Sequence, residues 1–429
     1  MSALRRIRRG AKRLATTLSE RVPGFGPAYR AALRYKRDLQ YRALVRRSTL
    51  DPSMVVFESF VGRTYSCNPK ALYEAMLRDP RFDDFTFVWA FKEPRDYADL
   101  PALGRATLVR FGSRDYYGYH ARAKYWVSNS VLPFRMQPRE RQVYVQTWHG
   151  TPLKRLGCDL SSDPGADAQY QVEEKHLWYQ AEGRRFTALL SQSSYATERL
   201  ASAFDLAAGG KLSAVVEEGY PRNDALHTFS DEDVARIRER LGLPEDKQVV
   251  LYAPTWRDDQ HVKGVGYTLE PTMDFEALQR ELGDTHVILF RAHYLIASSF
   301  DFAAYAGFVF DVSSADDIND FYVASDVLVT DYSSVFFDYA GLRRPMVFYM
   351  YDLERYVRGF YLELGDLPGP VVRTTDELVA AIRSADSRDA GSVERYARAC
   401  DRFAGLDDGH ASERVLARLV GSDGAGGSL

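Results

Sequence analysis

The chain has 429 residues, of which 45% are hydrophobic and 27% are charged. A chain of this length and apolar content can bury one large or two medium cores, so we expect a globular protein of two domains. Cys67, Cys158 and Cys400 are far apart and form no Cys-x-x-Cys pair, which argues against a disulfide framework and a structural zinc site and fits a reducing cytosol. No apolar run approaches the roughly 20 residues of a membrane span, and the N-terminus lacks the apolar core of a secretory signal, so we expect a protein that is neither exported nor integral to a membrane.

The positive charge is concentrated at the N-terminus. Residues 1–49 hold fourteen bases and two acids, a net charge of +12 in a chain whose total is −3. Apolar residues recur there at spacings of three and four and predict a helix with one apolar stripe flanked by arginines: Leu4, Ile7, Ala11, Leu14 and Leu18. Such a helix suits an anionic membrane surface. We name as its membrane contacts Arg5, Arg6, Arg8, Arg9, Lys12 and Arg13.

Two other functions of a basic segment compete with membrane binding. One is a basic arm for nucleic acid, and the other is a solvated helix packed on the body of the protein. We favour the membrane over nucleic acid because no aromatic residue for base stacking interleaves with the first bases, although Tyr29, Tyr35 and Tyr41 follow later. We therefore expect no nucleic-acid partner.

Short β-rich runs alternate with amphipathic stretches along the rest of the chain, which is typical of parallel α/β units. The first half offers the runs 55–59, 85–89, 106–110, 124–128, 142–148 and 188–193. Residues 219–224 and a charged helix at Asp231–Leu241 then form the predicted passage between domains. The second half offers the runs 249–252, 286–290, 308–312, 326–330, 345–349 and 371–373.

These two series predict an α/β fold of two doubly wound, Rossmann-like domains that face each other across a cleft. We place the basic segment at 1–48, the N-terminal domain at 49–225, the C-terminal domain at 226–420 and a small, polar, disordered tail at 421–429. Packing of the final helix back on the N-terminal domain is left open. In such sheets ligands bind beyond the carboxyl ends of the strands, so the cleft is the expected site.

The most informative junction is at His149, which directly follows the strand predicted at 142–148. Thr151 is a good N-cap and Pro152 a good first helical residue, so the sequence predicts a helix start whose free backbone N–H groups point at an anion. A histidine beside an anion site indicates phosphate chemistry. Taken alone, His149 is better interpreted as a hydrogen-bonded linker residue than as a catalytic one. Only the residues downstream favour a catalytic role.

Polar residues also follow the strands of the second domain, in three places: Pro254 and Thr255, Arg291 and His293, and Ser333 and Ser334. Either of the two serines as N-cap of an apolar helix at 335–340 makes a second anion-binding terminus. Each residue alone is explained as well by a structural role as by a functional one: as a cap, a member of a structural ion pair or a buried polar group. Together, two histidines, an arginine and two helix starts at the strand ends of facing domains indicate an active-site cleft.

Other sequence templates are absent. The chain has no Gly-x-x-x-x-Gly-Lys loop, no Gly-x-Gly-x-x-Gly after a strand, no His-Glu-x-x-His and no Gly-x-Ser-x-Gly. Asp231 and Asp233 have the spacing of a metal-nucleotide site, but they follow Ser230 at a helix start, where acids are favoured, so we interpret them as caps. With no compact acidic cluster at a strand end, we predict no metal site and no cofactor. Charge on a diphosphate must then be met by Arg291, by imidazole and by helix termini.

Eight runs occur in order along the chain: 146–154, 219–224, 253–257, 291–293, 329–339, 344–351, 358–361 and 368–370. Together they resemble the CDP-glycerol glycerophosphotransferase family, the teichoic acid primases and polymerases, over roughly residues 53–419. The resemblance implies a GT-B fold, a CDP-glycerol or CDP-ribitol donor, and a lipid-linked or polymer acceptor. It also implies a peripheral protein on the cytoplasmic face of the cell membrane, and it leaves the oligomeric state open.

The resemblance assigns roles to individual residues. His149 and His293 are the candidate catalytic residues, His149 as the base and His293 with Arg291 on the donor diphosphate. The candidate donor-binding residues are Gly150, Thr151, Arg222, Pro254, Thr255, Arg291, Ser333, Ser334 and Asp338. The implied reaction transfers a glycerol phosphate, or a related alditol phosphate, to an acceptor hydroxyl and releases CMP. The alternatives are a GT-B nucleotide-sugar glycosyltransferase or epimerase and, in another class, a noncatalytic membrane- or polyanion-binding protein.

Overall fold

The protein is built on two parallel β-sheets, each covered by helices on both faces. The computed structural model describes residues 25–160, 172–255, 261–262, 266–267, 273–292, 301–355, 359–385, 387 and 390–421. The helices in these ranges are α1 Phe25–Arg47, α2 Cys67–Arg78, α3 Arg114–Arg122, α4 Val172–Gly183, α5 Ser194–Ala203, α6 Asp231–Leu241, α7 Phe275–Leu282, α8 Asn319–Ala324, α9 Val335–Tyr339, α10 Thr375–Arg383, α11 Ala390–Ala404 and α12 Ala411–Gly421.

The two sheets have the same strand order, except that the first has one more strand at its edge. The strands of the first are β1 Asp51–Glu58, β2 Thr86–Phe91, β3 Ala106–Arg110, β4 Ala123–Ser128, β5 Val143–Gln146, β6 Ala188–Ser191 and β7 Val215–Glu217. Those after the domain passage are β8 Gln248–Ala253, β9 His261–Val262, β10 Gly266–Tyr267, β11 His286–Phe290, β12 Val309–Asp311, β13 Val327–Thr330, β14 Met346–Tyr349 and β15 Val371–Val372. The sheet orders are β3-β2-β1-β4-β5-β6-β7 and β12-β11-β8-β13-β14-β15, parallel throughout, while β9 and β10 form a separate antiparallel hairpin.

The strand sequences explain why both faces of each sheet are covered. The central strands β1 and β8 each contain a run of at least four consecutive apolar residues, as parallel strands buried on both faces do. Successive residues of β1 alternate between two apolar layers, with Val55 and Phe57 in one and Met54 and Val56 in the other. The prediction of two doubly wound sheets is confirmed, and every run predicted as a strand overlaps one.

Helix α6 has the predicted bounds. Ser230 and Asp233 form a reciprocal capping box at its start, so the interpretation of this acidic turn as a cap is confirmed. The short strand β7 and the β9–β10 hairpin were not predicted from the sequence.

The helix predicted to begin at Thr151 does not form, and that prediction is wrong. Lys154 instead pairs with Phe360 in an isolated antiparallel bridge. The Arg155 backbone N–H donates to the Gly359 carbonyl at 2.8 Å. Because these backbone groups bond to a segment more than 200 residues later, they are not available for the local bonds of a helix.

Helix α1 packs on α3 and on the first sheet. Tyr41 is only 4% exposed and belongs to the same apolar layer as Met54 and Val56. The predicted amphipathic stripe and the six predicted membrane contacts fall within residues 1–24, outside the described residues. No helix in the described ranges is long and apolar enough to cross a membrane.

The last helix, α12, returns from the second sheet and packs on the first. Val415, Leu416 and Leu419 join the apolar layer that includes Val55. The carboxylate of Asp224 accepts hydrogen bonds from the first two backbone N–H groups of α12, each at 2.8 Å. The chain therefore crosses between the two sheets twice.

Truncation of Leu416, which is 1% exposed, tests this packing. We expect Leu416→Ala to lower the free energy of unfolding by about 2–5 kcal/mol, since it leaves a cavity in the core. Urea unfolding followed by tryptophan fluorescence measures the change. Leu406→Ala is the matched control because Leu406 is 36% exposed. Equal losses in the two variants would contradict the assignment of α12 to the core of the N-terminal domain.

Candidate active site

The carboxyl ends of the two sheets face each other across a cleft with a cavity volume of about 450 Å³. Ten predicted site residues lie in the described ranges, and all ten line this cleft: His149, Gly150, Thr151, Arg222, Pro254, Thr255, Arg291, Ser333, Ser334 and Asp338. His293, the other predicted catalytic residue, lies outside the described residues. The cleft is where doubly wound sheets hold their ligands.

A strained turn after β5 carries His149. Trp148 has a φ of +49°, in the left-handed region that bulky residues rarely adopt. Gln146 holds the turn, because its Oε1 accepts the Trp148 backbone N–H at 2.9 Å. The Trp148 ring is buried at 6% exposure against Phe204, whereas His149 opens into the cleft, where the facing domain partly shields it from bulk water.

One ring nitrogen of His149 is hydrogen-bonded to the backbone, and the other can accept a proton. Nδ1 lies 2.9 Å from the carbonyl oxygen of Asn129. Because a carbonyl can only accept, Nδ1 carries the hydrogen and the neutral ring presents Nε2 as an acceptor. The pKa of His149 is lowered by desolvation in the cleft and by the charge of Arg222, while the Asn129 hydrogen bond opposes the change. The ring is therefore neutral at pH 7, the state that a general base requires.

The residues after His149 bring the two domains into contact. A Cβ at Gly150 would lie 2.6 Å from Ser334 Oγ in the opposite domain, so only glycine fits there. The buried Thr151 hydroxyl donates to Gln192 Oε1 at 2.6 Å. Thr151 is thus a buried contact of the N-terminal domain, with its hydroxyl bonded to a side chain instead of capping a helix.

Arg291 is a half-buried cation on the opposite wall. Its Nη1 donates to the Val312 carbonyl at 3.1 Å, and its guanidinium lies 5.1 Å from the centre of the Phe321 ring. Burial lowers the pKa of Arg291, and Asp317 opposes that change, so the guanidinium keeps its charge. Arg291 lines the cleft, where a guanidinium can bind phosphate oxygens.

Asp331 joins the ends of β8 and β13. Its Oδ1 accepts the backbone N–H and the hydroxyl of Thr255 at 2.9 and 2.8 Å, and the Tyr332 backbone N–H at 2.6 Å. Three donors on Oδ1 of this buried carboxylate fix Thr255 on the cleft wall.

The second predicted helix terminus is present but short. Ser334 is the N-cap of α9 without a side-chain cap bond, and the Val335 backbone N–H lies 3.4 Å from Ser333 Oγ. Helix α9 has five residues, so its dipole is small. What this end offers an anion is therefore a set of hydroxyl and backbone N–H donors.

Arg222 and Asp338, both predicted as donor contacts, bond to each other across the domain boundary. Nη2 of the arginine lies 2.8 and 2.7 Å from the two carboxylate oxygens, and the side chains are 9% and 7% exposed. Nη1 contacts Cys67 Sγ at 3.1 Å, and Asn223 Nδ2 donates to Asp338 at 3.1 Å. Their charges are satisfied within the protein, so this pair gives the cleft a rigid wall.

The buried network extends to Asp407 at the junction of α11 and α12. Its carboxylate accepts from Asn223 Nδ2 and Gln192 Nε2, each at 2.7 Å, and from the Tyr220 backbone N–H at 3.0 Å. Burial raises the pKa of Asp407 to about 7, although these hydrogen bonds oppose the change. The network connects Thr151, through Gln192, to the end of the C-terminal domain.

Four residues that hold the site were given no role from the sequence: Asn129, Gln192, Asp331 and Asp407. Asn129 and Asp331 directly follow β4 and β13, so the strand-end rule that selected His149 applied to them equally. Asp407 had no local signal, because its partner Gln192 is 215 residues away.

The arrangement suits transfer of an anionic group to a hydroxyl. One wall carries a neutral histidine with an available acceptor nitrogen, and the other carries a cation and a group of uncharged donors. Phosphoryl transfer depends mainly on such positioning and on electrostatic stabilisation.

The chain is similar to known proteins over most of its length. Residues 39–421 match the family model described as CDP-Glycerol:Poly(glycerophosphate) glycerophosphotransferase. The chain is 38% identical over 386 residues to a teichoic acid poly(glycerol phosphate) polymerase of Bacillus subtilis (strain 168), covering 87% of this chain and 49% of that one. It is 38% identical over 369 residues to a teichoic acid glycerol-phosphate transferase of Staphylococcus aureus (strain NCTC 8325 / PS 47), covering 85% and 92%.

A solved structure of the wall teichoic acid polymerase TagF superposes with a TM-score of 0.80 at 37% identity, covering 92% of this chain and 97% of that chain. The chain thus spans about half the length of the Bacillus subtilis relative and nearly all of the Staphylococcus aureus one. The resemblance stated from the sequence and the GT-B-like fold that it implied are confirmed.

Removal of Asp338 tests the interdomain ion pair. We expect Asp338→Ala to lower the free energy of unfolding by about 3–5 kcal/mol, because it leaves the Arg222 charge buried without its partner. Asp401→Ala breaks an exposed pair, Arg343 and Asp401 at 58% and 65% exposure, and should cost about 0–1 kcal/mol. Urea unfolding compares the two variants, and similar losses would contradict the buried pair's role.

Proposed function

The chain belongs to the CDP-glycerol:poly(glycerophosphate) glycerophosphotransferase family, and we propose that it transfers glycerol phosphate from CDP-glycerol to a hydroxyl of a lipid-linked or polymer acceptor, releasing CMP, in the synthesis of a teichoic acid or related polymer. The observation that carries the proposal is a neutral His149 with an available Nε2 facing the same cleft as Arg291. The names of both relatives specify glycerol phosphate, which favours glycerol over ribitol in the donor.

In the proposed reaction the acceptor oxygen attacks the β-phosphorus of CDP-glycerol. Nε2 of His149 takes the hydroxyl proton as the new P–O bond forms. The bond from the β-phosphorus to the bridging oxygen breaks, and CMP leaves with that electron pair. The products are a phosphodiester and CMP.

The C-terminal wall supplies the donor contacts in this proposal. Arg291 neutralises the charge that develops on the departing phosphate. Ser333 and Ser334 offer hydroxyl and backbone N–H donors to the diphosphate, and Thr255 is held beside them by Asp331. Pro254 lines the same wall. On the family resemblance, His293 remains a second catalytic residue at the diphosphate.

We assign the acceptor to the N-terminal domain, residues 49–225, and the donor to the C-terminal domain, residues 226–420, except for α12, which packs in the core of the N-terminal domain. The base on the first wall and the cation on the second support this division. Gly150, Arg222 and Asp338 border the donor at the boundary. The ion pair there sets the spacing of the walls, since its charges already satisfy each other.

We place the protein on the cytoplasmic face of the membrane as a peripheral protein, with residues 1–48 as the contact. Helix α1 supports this proposal, because it exposes Tyr35 and Leu39 at 66% and 48%. A groove between α1 and α3 is lined by four arginines: Arg37, Arg47, Arg114 and Arg135. Basic surfaces of this kind attract anionic lipid headgroups.

We expect the purified protein to release CMP from CDP-glycerol in the presence of a lipid-linked acceptor. CDP-ribitol and a UDP-sugar are offered in parallel, and nucleotide release is measured. His149→Ala should lower kcat by at least about 100-fold, because the proton acceptor is lost. Its affinity for CDP-glycerol, measured by calorimetry, should be little changed.

If neither CDP-glycerol nor CDP-ribitol yields CMP, or if UDP is released instead, the proposed alditol-phosphate transfer is contradicted and nucleotide-sugar chemistry is favoured. Retained turnover in His149→Ala would remove His149 from its role. The pH profile of kcat/KM gives an independent readout, because activity should persist below pH 6.5 and fall only as pH drops through the lowered pKa of His149.

Replacement of the six basic residues by glutamine tests the membrane contact: Arg5, Arg6, Arg8, Arg9, Lys12 and Arg13. We expect the variant to lose its binding to phosphatidylglycerol vesicles in a flotation assay. Each base near an anionic surface contributes about 1 kcal/mol to the free energy of binding. Substitution is preferable to deletion of 1–48, which would remove Tyr41 from the core. Arg398→Gln, on an exposed part of α11, is the control. Unchanged flotation of the six-residue variant would refute the contact.

A further inference from the structure

A turn of three consecutive left-handed residues closes the N-terminal side of the cleft. Phe60, Val61 and Gly62 follow β1 with φ values of +45°, +60° and +71°. For Phe60 and the β-branched Val61, this conformation costs on the order of 1–3 kcal/mol each. A Cβ at Gly62 would lie 3.1 Å from the Ala90 carbonyl oxygen. Such a turn persists only where its surroundings impose it.

Asn129 connects this turn to the candidate base. Its Oδ1 accepts the Phe60 backbone N–H at 2.7 Å, and its Nδ2 donates to Ser59 Oγ at 3.1 Å. Its carbonyl accepts from Nδ1 of His149 at 2.9 Å. The Phe60 ring meets the His149 ring edge-on, with 5.9 Å between centroids. Asn129, at 0% exposure, therefore sets both the orientation of the base and the position of the turn.

The turn places Arg63 at the cleft, and Lys92 lies beside the turn. Nη1 of Arg63 donates to the Phe60 carbonyl at 3.1 Å, and the Lys92 backbone N–H donates to the Gly62 carbonyl at 2.6 Å. Both cationic side chains are exposed, and Arg63 lines the cleft. Desolvation and the charge of Arg63 lower the pKa of Lys92, as expected for neighbouring like charges.

We propose that residues 60–63 form an acceptor-recognition turn, in which Arg63 and Lys92 bind a phosphodiester of the acceptor and Asn129 is the positioning residue that holds this turn in register with His149. The inference rests on the proposed function and adds the residues that recognise the acceptor. An acceptor that already ends in glycerol phosphate carries a phosphodiester one three-carbon unit from its attacking hydroxyl. The turn lies on the wall of the base, whereas the cation assigned to the donor lies on the opposite wall. The enzyme therefore prefers phosphate-bearing acceptors to neutral ones.

The test uses two synthetic acceptors with the same lipid, one presenting glycerol on a phosphodiester and the other on a neutral linker. Initial rates of CMP release are measured with saturating CDP-glycerol. Arg63→Gln and Lys92→Gln should each raise the KM of the phosphodiester acceptor about 10- to 100-fold, because a charge-assisted hydrogen bond is lost. The KM of the neutral acceptor and both kcat values should remain within about twofold. Arg398→Gln is the charge-matched control on α11.

Asn129→Ala tests the connection to the base. The variant keeps the main-chain carbonyl but loses both side-chain bonds to the turn. We expect kcat to fall for both acceptors, because the turn at Phe60 loses its anchor. Without the side-chain bonds the Asn129 main-chain carbonyl is also less firmly held against Nδ1 of His149, and since that bond raises the pKa of His149, the acid limb of the pH profile should move to lower pH. Ser59→Ala removes the Nδ2 partner and the Ser59 bond to the Ser66 carbonyl, but it keeps the bond from Phe60 to Asn129 and should leave the pH profile in place.

The outcomes separate the two proposals. An equal KM change for both acceptors, or no change for the phosphodiester acceptor, would overturn the recognition turn and leave the transferase standing. An unmoved acid limb in a folded Asn129→Ala variant would overturn the positioning role. No CMP release by the unaltered protein with either acceptor would overturn the proposed function and this inference with it. Arg63 and Lys92 are exposed, so their variants remain informative if Asn129→Ala fails to fold.

Discussion

The buried ion pair between Arg222 and Asp338 is the interaction on which the cleft depends. The partners belong to facing domains, and at 9% and 7% exposure neither charge has bulk water as an alternative partner. The walls can separate only by leaving a buried charge unpaired, which is costly. Asn223 and Asp407 extend the same network to the start of α12, which returns to the N-terminal core. The spacing between the base and the cation of the site is therefore a property of the whole fold.

The two walls divide the chemistry because each sheet contributes its own strand ends. The N-terminal wall consists of constrained turns, with Phe60 and Trp148 both in left-handed conformations and both held by side-chain amides. The C-terminal wall presents Arg291 and uncharged donors at the ends of strands that Asp331 joins. The strained turns of the N-terminal wall and the hydrogen bonds of the C-terminal wall both hold the site residues in place before substrate binds. Groups that are already positioned need not reorganise during reaction.

Much of the fold was predictable, because parallel strands buried on both faces leave short apolar runs separated by amphipathic helices. The charged helix α6 was placed correctly because its start and its end carry local signals, a capping box and a glycine in the left-handed conformation. The helix predicted at Thr151 was wrong for a related reason. Thr151 and Pro152 have the local preferences of a helix start, but Lys154 pairs with Phe360, and a tertiary bond overrides a weak local preference.

By itself the sequence determined the two-sheet architecture and the residues at the strand ends, His149, Arg291 and Ser333 among them, because parallel topology brings all carboxyl ends of a sheet to one edge. Only the tertiary structure decided which charged residues at the cleft are available to a ligand and which are paired within the protein. Arg222 and Asp338 are 116 residues apart in the chain and neutralise each other, and Asn129 reaches both His149 and Phe60 through bonds that no local pattern encodes. Hydrogen bonds and ion pairs depend on distance in space, whereas periodicity and capping report only on neighbours in sequence.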